Sequence, residues 1–341
     1  MRGVVFRGPR ELEVVTDLPE PAVRGPRDAV VRVTRSAICG SDLHPYRGGI
    51  PDFAPGTVLG HEFVGVVVDA GAEVPFAAGD RVSASDVIAC GRCARCARGW
   101  HYHCPEATLF GYSTVVGPAV PGGQAEYVRV PFADVVLAAC PPELSDEQMV
   151  FVGDLLSTAC AAATAAVVPG DLTTVVGGGA LGQLSAMCAR AFGAAHVVLA
   201  DPEPVRREDA RALGFEAVEP GRLAAALDRH GGAAGVIEAV GSDSALATAV
   251  GAAAPRAIIA VVGAHSSRAM PLATQTAFTR ELTLTFIVGD PIRDRARAVA
   301  LLRSGALDPT AVISHRLHLT EAVDGYRLFD RREALKVVLQ P

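Results

Sequence analysis

A chain of 341 residues has room for two domains of ordinary size, each with its own core. Half of the residues are hydrophobic and a fifth are charged, which excludes a disordered chain, and a net charge of −6 offers no basic face to nucleic acid or an anionic membrane. The first residues, "MRGVVFRGPRELEVV", lack the apolar core of a signal peptide, and the longest apolar runs, such as "AIIAVVGA" at 257–264, fall short of the roughly 20 residues that span a bilayer.

These features predict a cytoplasmic protein with no nucleic-acid or membrane partner. In a reducing compartment, clustered cysteines then point to metal or redox work rather than to disulfides. The first 150 residues carry short alternating runs ("AVVRVTRSAI", "EFVGVVVDAG", "AEYVRVP") between turn signals, which predicts a β-rich domain. Within it, "ICGSDLHPYRG" carries Cys39, Ser41, Asp42 and His44, and "GHEFVGVVVDAGAEV" carries His61 and Glu62. Taken singly, a cysteine or histidine of this kind reads more often as a core residue than as a ligand. Next, "CGRCARCARGWHYHC" at 90–104 gathers four of the eight cysteines, Cys90, Cys93, Cys96 and Cys104, at the spacing C-x2-C-x2-C-x7-C. Four thiolates this close in sequence can wrap one tetrahedral zinc at Zn–S distances near ~2.3 Å, and they leave no position for water or substrate. That site is closed, and therefore structural. His101 and His103 lie inside the loop as competing donors that four cysteines make unnecessary.

From about residue 153 the texture changes. "LSTACAAATAAVV" is long, alanine-rich and helix-like, and "PGDLTTVVGGGALGQLSAMCARAFGAAHVVLAD" reads as turn, strand, glycine loop, helix and strand. Gly177, Gly179 and Gly182 have G-x-G-x-x-G spacing between strand and helix, and Asp201 follows nineteen residues after Gly182 at the end of "HVVLAD". This is a dinucleotide fingerprint: the glycines let backbone N–H groups and a helix N-terminus approach the pyrophosphate. Asp201 would accept hydrogen bonds from the adenosine ribose and repel a 2′-phosphate, which favours NAD over NADP. Arg206 and Arg207 weigh the other way if they meet that phosphate, or lie on a solvated helix face. Arg206 is a candidate cofactor-binding residue. "GVIEAV" and "AIIAVVGA" continue the alternation and predict an α/β, doubly wound parallel sheet. Cys140, Cys160 and Cys188 read as small buried hydrophobes. Two helices and a closing strand "ALKVVLQP" end the chain.

Gly60-His61-Glu62, followed by Gly65, Gly71 and Val74, fits the pattern G-H-E-x2-G-x5-[GA]-x2-[IVSAC]. With this pattern, the Cys-Gly-Ser-Asp-x-His segment, the four-cysteine lobe and the glycine loop in that order, the chain resembles the zinc-dependent medium-chain alcohol dehydrogenases over essentially its whole length. The resemblance implies a GroES-like catalytic domain at 1–152 and 287–341, with a zinc lobe at about 88–106, and a Rossmann NAD-binding domain at 153–286. It implies that Cys39 and His61 ligate a catalytic zinc. Where the family usually places a third cysteine, this chain has Asp154 in "FVGDLLSTACAAA", similar to branches that use aspartate, among them secondary-alcohol and formaldehyde dehydrogenase-like members. A carboxylate carries the same charge as a thiolate and is a harder donor, so the zinc would be a stronger Lewis acid. Asp154 also reads as the N-cap of the helix that follows, and Cys160 is a rival ligand.

The same resemblance gives Glu62 a place beside the zinc. It makes Ser41 the first relay hydroxyl and His44 the terminal base, has Asp42 orient His61, and puts Thr158 near the nicotinamide. Gly40 stands where many relatives have an arginine, so one pyrophosphate contact is absent. Phe110 or Tyr112 is expected in the substrate pocket. The activity implied is zinc- and NAD-dependent oxidation of a small or secondary alcohol, or reduction of the corresponding carbonyl, with two zincs per chain in a homodimer or homotetramer. Formaldehyde dehydrogenase or aldehyde dismutase-like chemistry is the alternative, and a non-catalytic dinucleotide-binding protein a more distant one.

Overall fold

In a computed structural model that describes residues 1–265, 269–270 and 272–341, the chain divides into two units. One comprises Met1–Asp154, Asp290–Val299 and Ile313–Pro341, and the other Leu155–Gly289 and Ala300–Val312.

The second unit is built on a six-stranded sheet in the order Glu216–Val218, His196–Ala200, Leu172–Val176, Ala233–Glu238, Ala253–Val261, Thr283–Phe286, every adjacent pair parallel. Numbered from Leu172–Val176, this is the 3-2-1-4-5-6 order of the doubly wound dinucleotide fold. Parallel strands need crossovers that cover both faces, so the central strand "LTTVV" is buried at all five positions and shows no alternation. The helix Leu155–Ala166 is buried on nearly every side, which explains its composition. Alanine lets it lie close against the helix Ala180–Ala191 without a polar face. The turn between Leu172–Val176 and Ala180–Ala191 is tight enough that a Cβ on Gly182 would stand 1.8 Å from the carbonyl oxygen of Gly177. Only glycine permits that packing of helix on strand.

The first unit centres on the strand Ala29–Ile38. It pairs antiparallel with Glu62–Ala70, with Tyr127–Val130 and with Val337–Gln340. Arg81–Ala84 and Leu137–Ala139 extend the sheet on one side and His315–His318 on the other. One core of this unit, around Val31, Phe63, Val67 and Val128, fills one side, and a second, around Phe6, Ile38, Tyr46 and Tyr326, fills another. The C-terminal strand Val337–Gln340 lies inside the first-unit sheet, so the last residues of the chain help complete a structure begun by the first forty. No helix among the described residues is long and apolar enough to cross a membrane.

The Gly182 contact gives a direct test. Gly182→Ala forces the first turn of its helix away from the strand and should cost about 1–3 kcal/mol as overpacking. Calorimetry would show this as a lowered melting temperature, whereas an unchanged melt would mean the turn is looser than its geometry requires.

Candidate metal centre

The register of the first-unit sheet assembles the site. Ala37 pairs with Glu62 and Val337 with Ile38, so three strand termini meet at one end of the sheet. Cys39 follows one of them, His61 precedes the second and Lys336 precedes the third. Asp154 joins from the chain beyond the strand Arg81–Ala84. Its neighbour Gly153 packs so closely that a Cβ there would lie 2.1 Å from the Ala84 carbonyl oxygen, and the Asp86 N–H donates to the Gly153 carbonyl at 2.9 Å.

The result is a compact donor set. Cys39 Sγ and His61 Nε2 each lie 3.4 Å from Asp154 Oδ2, and the three donor atoms fall within 4.8 Å of one another. A tetrahedral zinc with ligands at about 2.0–2.3 Å has edges of about 3.3–3.8 Å, which the two separations from Asp154 Oδ2 match, and the third pair lies within 4.8 Å. Asp42 orients two of them. Its Oδ2 accepts the Cys39 backbone N–H at 2.9 Å, and its Oδ1, which has no other partner, lies 3.2 Å from His61 Nδ1. With its proton on Nδ1, the ring presents a lone pair at Nε2 toward Asp154 and Cys39. Ser41 Oγ stands 3.2 Å from that nitrogen. Tyr112 donates its hydroxyl to the Ser41 carbonyl at 2.9 Å and sets its ring edge-on to His61. Of the two aromatics expected in the pocket, Tyr112 therefore reaches the site. Phe110 does not: it is wholly buried, packed on Phe63 in the sheet core.

The electrostatics suit a cation. Burial pushes the Cys39 thiol up, and the carboxylates of Glu62 and Asp154 push it further. Burial disfavours charge on His61, yet Asp42 and Asp154 outweigh it and hold the imidazole well above its usual value. Asp154 is the reciprocal case. Burial raises it, and bonding to His61 with the charge of Lys336 brings it below its usual value. A divalent ion among these atoms would replace the proton that His61 otherwise keeps.

Two partners here are invisible to local sequence reading. Lys336, wholly buried, donates to Glu62 Oε2 from 274 residues away, while Glu62 Oε1 is buried without a hydrogen-bond partner. Attraction to Glu62 outweighs burial and holds the Lys336 ammonium above its usual value, while burial, only partly offset by Lys336, holds the Glu62 carboxyl above its own. The second is Asp86, which accepts the Val87 N–H at 2.7 Å and the hydroxyl of Tyr102. Burial, with the nearby charge of Asp154 adding to it, pushes the Asp86 carboxyl up to about 8.

The four-cysteine lobe forms a separate, closed group. Cys104 Sγ lies 3.5 Å from Cys90 Sγ and 3.9 Å from Cys93 Sγ, the spacing of tetrahedron edges and far longer than an S–S bond. Backbone N–H groups of Cys90, Cys96 and Glu106 point at these sulfurs. The Cys96 N–H is the main reason the Cys93 thiol falls to about 6, while burial and then Cys93 push Cys96 up to about 12. His101 takes no part in the group. Its backbone N–H and Nδ1 both engage Asp290, at 3.0 and 2.8 Å, which ties the lobe to the start of the helix Pro291–Arg303. His103 is exposed.

His44 sits half-buried on the short helix Leu43–Tyr46, and burial, then Arg47, hold its imidazole below the usual value. In the second unit, Gly177, Gly179 and Gly182 form the turn from strand to helix, with Gly179 at the helix N-cap. Asp201 folds back over that turn. Its Oδ2 accepts the Gly178 N–H at 2.6 Å and its Oδ1 the Glu203 N–H at 2.8 Å. Arg206 approaches Asp201 Oδ2 at 3.6 Å, whereas Arg207 is spent on the carbonyls of Asp201 and Pro202. Thr158 is buried in the helix Leu155–Ala166 against Gly289. Cys160 is wholly buried with Sγ 3.7 Å from Cys188 Sγ, and it is Asp154 that stands with Cys39 and His61.

Residues 25–141 match the family described as the alcohol dehydrogenase GroES-like domain, and residues 180–304 match the zinc-binding dehydrogenases. The chain is similar to a probable zinc-binding alcohol dehydrogenase of Mycobacterium tuberculosis, 36% identical over 100% of this chain and 89% of that one. It is 32% identical to zinc-type alcohol dehydrogenase B of Aspergillus flavus, over 100% of this chain and 81% of the other. Among solved structures, alcohol dehydrogenase TADH from Thermus sp. ATN1 superposes with a TM-score of 0.94 at 37% identity, covering 100% of this chain and 99% of that one.

The Lys336–Glu62 pair makes the next prediction. Lys336→Met leaves the Glu62 charge buried and unpaired, a loss of about 3–5 kcal/mol. In denaturant titrations the double variant Lys336→Met/Glu62→Gln should regain most of that stability. If Lys336→Met alone were neutral, the ion pair would not be a stabilising partner of Glu62.

Proposed function

Because the chain belongs to the zinc-dependent medium-chain alcohol dehydrogenases, we propose that it interconverts a small or secondary alcohol and its carbonyl compound with NAD(H). One observation carries the reading: Cys39 Sγ and His61 Nε2 each lie 3.4 Å from Asp154 Oδ2, all three within 4.8 Å of one another, and they supply only three donors where a catalytic zinc needs one open position. Bound zinc would supply Lewis acidity to the alcohol oxygen, and a nicotinamide would accept the hydride from the carbinol carbon.

The chain's own residues do the rest. Ser41 Oγ, beside His61 Nε2, takes the alcohol's hydroxyl proton as it passes its own on toward His44, and Tyr112 holds Ser41 in place through its carbonyl. His44 is the terminal proton acceptor, and the influences that lower its pKa keep it unprotonated, and so free to take a proton, at physiological pH. Asp42 keeps the zinc-binding nitrogen of His61 in place, and Glu62, ion-paired to Lys336, adds a carboxylate beside the three donors. The glycine turn takes the dinucleotide pyrophosphate, and the adenosine ribose meets Asp201, whose oxygens retain lone pairs for its hydroxyls. Asp201 supports NAD, with Arg206 beside it as a ribose or phosphate contact. Thr158 belongs to the nicotinamide side of this reading, and a homodimer or homotetramer is its expected assembly.

Reduction of NAD and of NADP over a panel of primary and secondary alcohols tests the reading, and kcat/KM should be larger with NAD. In the pH profile of alcohol oxidation, His44 is active when unprotonated, and its pKa is lowered. The rate should therefore be level near neutrality and fall only as pH drops through a value under 6.5. His44→Ala should remove that limb and lower the rate by about 10²-fold, the lower end for a general base. A panel on which neither cofactor is reduced would refute the function, and an unchanged acid limb in His44→Ala would remove His44 from the relay.

A further inference from the structure

We propose that Gln124 and Tyr326 are positioning residues for the histidine of the three-donor centre: a one-way run of hydrogen bonds from Tyr326 through Gln124 to Asp42 fixes which nitrogen of His61 faces the metal. The proposal rests on the reading of Cys39, His61 and Asp154 as a zinc centre, and it concerns residues well outside the donor set.

The direction of the run follows from what each group can give. Gln124 is wholly buried, with its amide between three partners. Nε2 lies 3.1 Å from the Ala37 carbonyl and 3.4 Å from Asp42 Oδ2, and Oε1 lies 2.9 Å from the Tyr326 hydroxyl. A carbonyl and a carboxylate only accept, so the NH2 end of the amide must face them. That leaves Oε1 toward Tyr326, which must donate. Asp42 Oδ2 thus receives the Gln124 amide and the Cys39 backbone N–H, and both arrive as donors. Oδ1, buried with no other partner, is left for the Nδ1–H of His61. A proton on Nδ1 is what frees Nε2 for the metal.

The run is also held in place at its far end. Tyr326 is wholly buried in the helix Ala322–Asp330 and its ring packs on Tyr46 at 5.5 Å. Gln124 is pinned through its own backbone, donating to Leu59 at 2.9 Å and accepting from Val4 at 2.8 Å. Neither residue reaches the donor atoms. Gln124 lies 82 residues from Asp42 and Tyr326 a further 202 along, so no local motif links them to His61.

Removing only the hydroxyl, as in Tyr326→Phe, frees the amide to turn. Gln124→Met, of similar shape, removes both its donor and its acceptor. Zinc-loaded protein would be challenged with a chelator and zinc release followed by an indicator dye, with Leu319→Val as a control. Leu319 lies in the same core but not in the run. Wild type should release two zincs per chain in two phases. In both variants one phase should quicken about 10–100-fold, the range for outer partners of metal-binding histidines, with the other unchanged. Cobalt placed at the quickened centre should show shifted visible absorption bands. Release matching Leu319→Val, or equal acceleration of both phases, would overturn the proposal. A wild type holding only one zinc would overturn the zinc-centre reading beneath it, a result separable from the first two.

Discussion

Negative charge buried at the end of one β-sheet is the constraint on which this structure depends. The carboxylates of Asp42 and Glu62 and the thiol of Cys39 sit out of water and Asp154 beside them is only partly exposed, with His61 and Lys336 as the cations among them. Desolvation of charge in such a place costs several kcal/mol per ion unless each is paired or coordinated. Each anion here has an answer. Glu62 takes Lys336, Asp42 takes backbone and side-chain donors, and Asp154 with Cys39 surrounds the nitrogen of His61. The arrangement is coherent for a divalent cation, which satisfies the thiol and the carboxylate together.

The fold meets that constraint by register rather than by a loop. Three strand termini are brought together by antiparallel pairing, and a slip of one residue would turn each alternating side chain to the opposite face. This accounts for the C-terminal strand lying beside Ala29–Ile38, because only there does Lys336 arrive opposite Glu62. The two donor groups also differ in number: four thiols in one, enough to fill a tetrahedral ion's corners, and three mixed donors in the other, one fewer. The lobe is nevertheless not isolated: its short turn places His101 on Asp290 and Tyr102 on Asp86, whose own N–H holds the residue before Asp154.

Much of this was legible in the sequence, and the reasons are local. The four cysteines, the glycine turn and the run "GHE" carry their chemistry in short spacings, so residue type and interval sufficed. The doubly wound sheet was legible from apolar strands alternating with alanine-rich helices. Partners separated by long stretches of chain were not legible. Lys336 reads as an ordinary lysine before a closing strand, and nothing near it announces Glu62. Gln124, Tyr326 and Asp86 gain their meaning only from side chains that the fold brings to them. Phe110 and Tyr112 show the same limit: the sequence offers either aromatic for the pocket, and only the fold separates Phe110, packed on Phe63 in the core, from Tyr112 beside Ser41 and His61.

The most direct test of the account is zinc per chain, measured on the wild type and on Asp154→Ala side by side, with circular dichroism to show that the fold persists. An open three-donor centre beside a closed four-thiolate one predicts two zincs in the wild type and about one in the variant, with dehydrogenase activity lost. Two zincs in both proteins would contradict the role given to Asp154, and one zinc in the wild type would contradict the open centre itself.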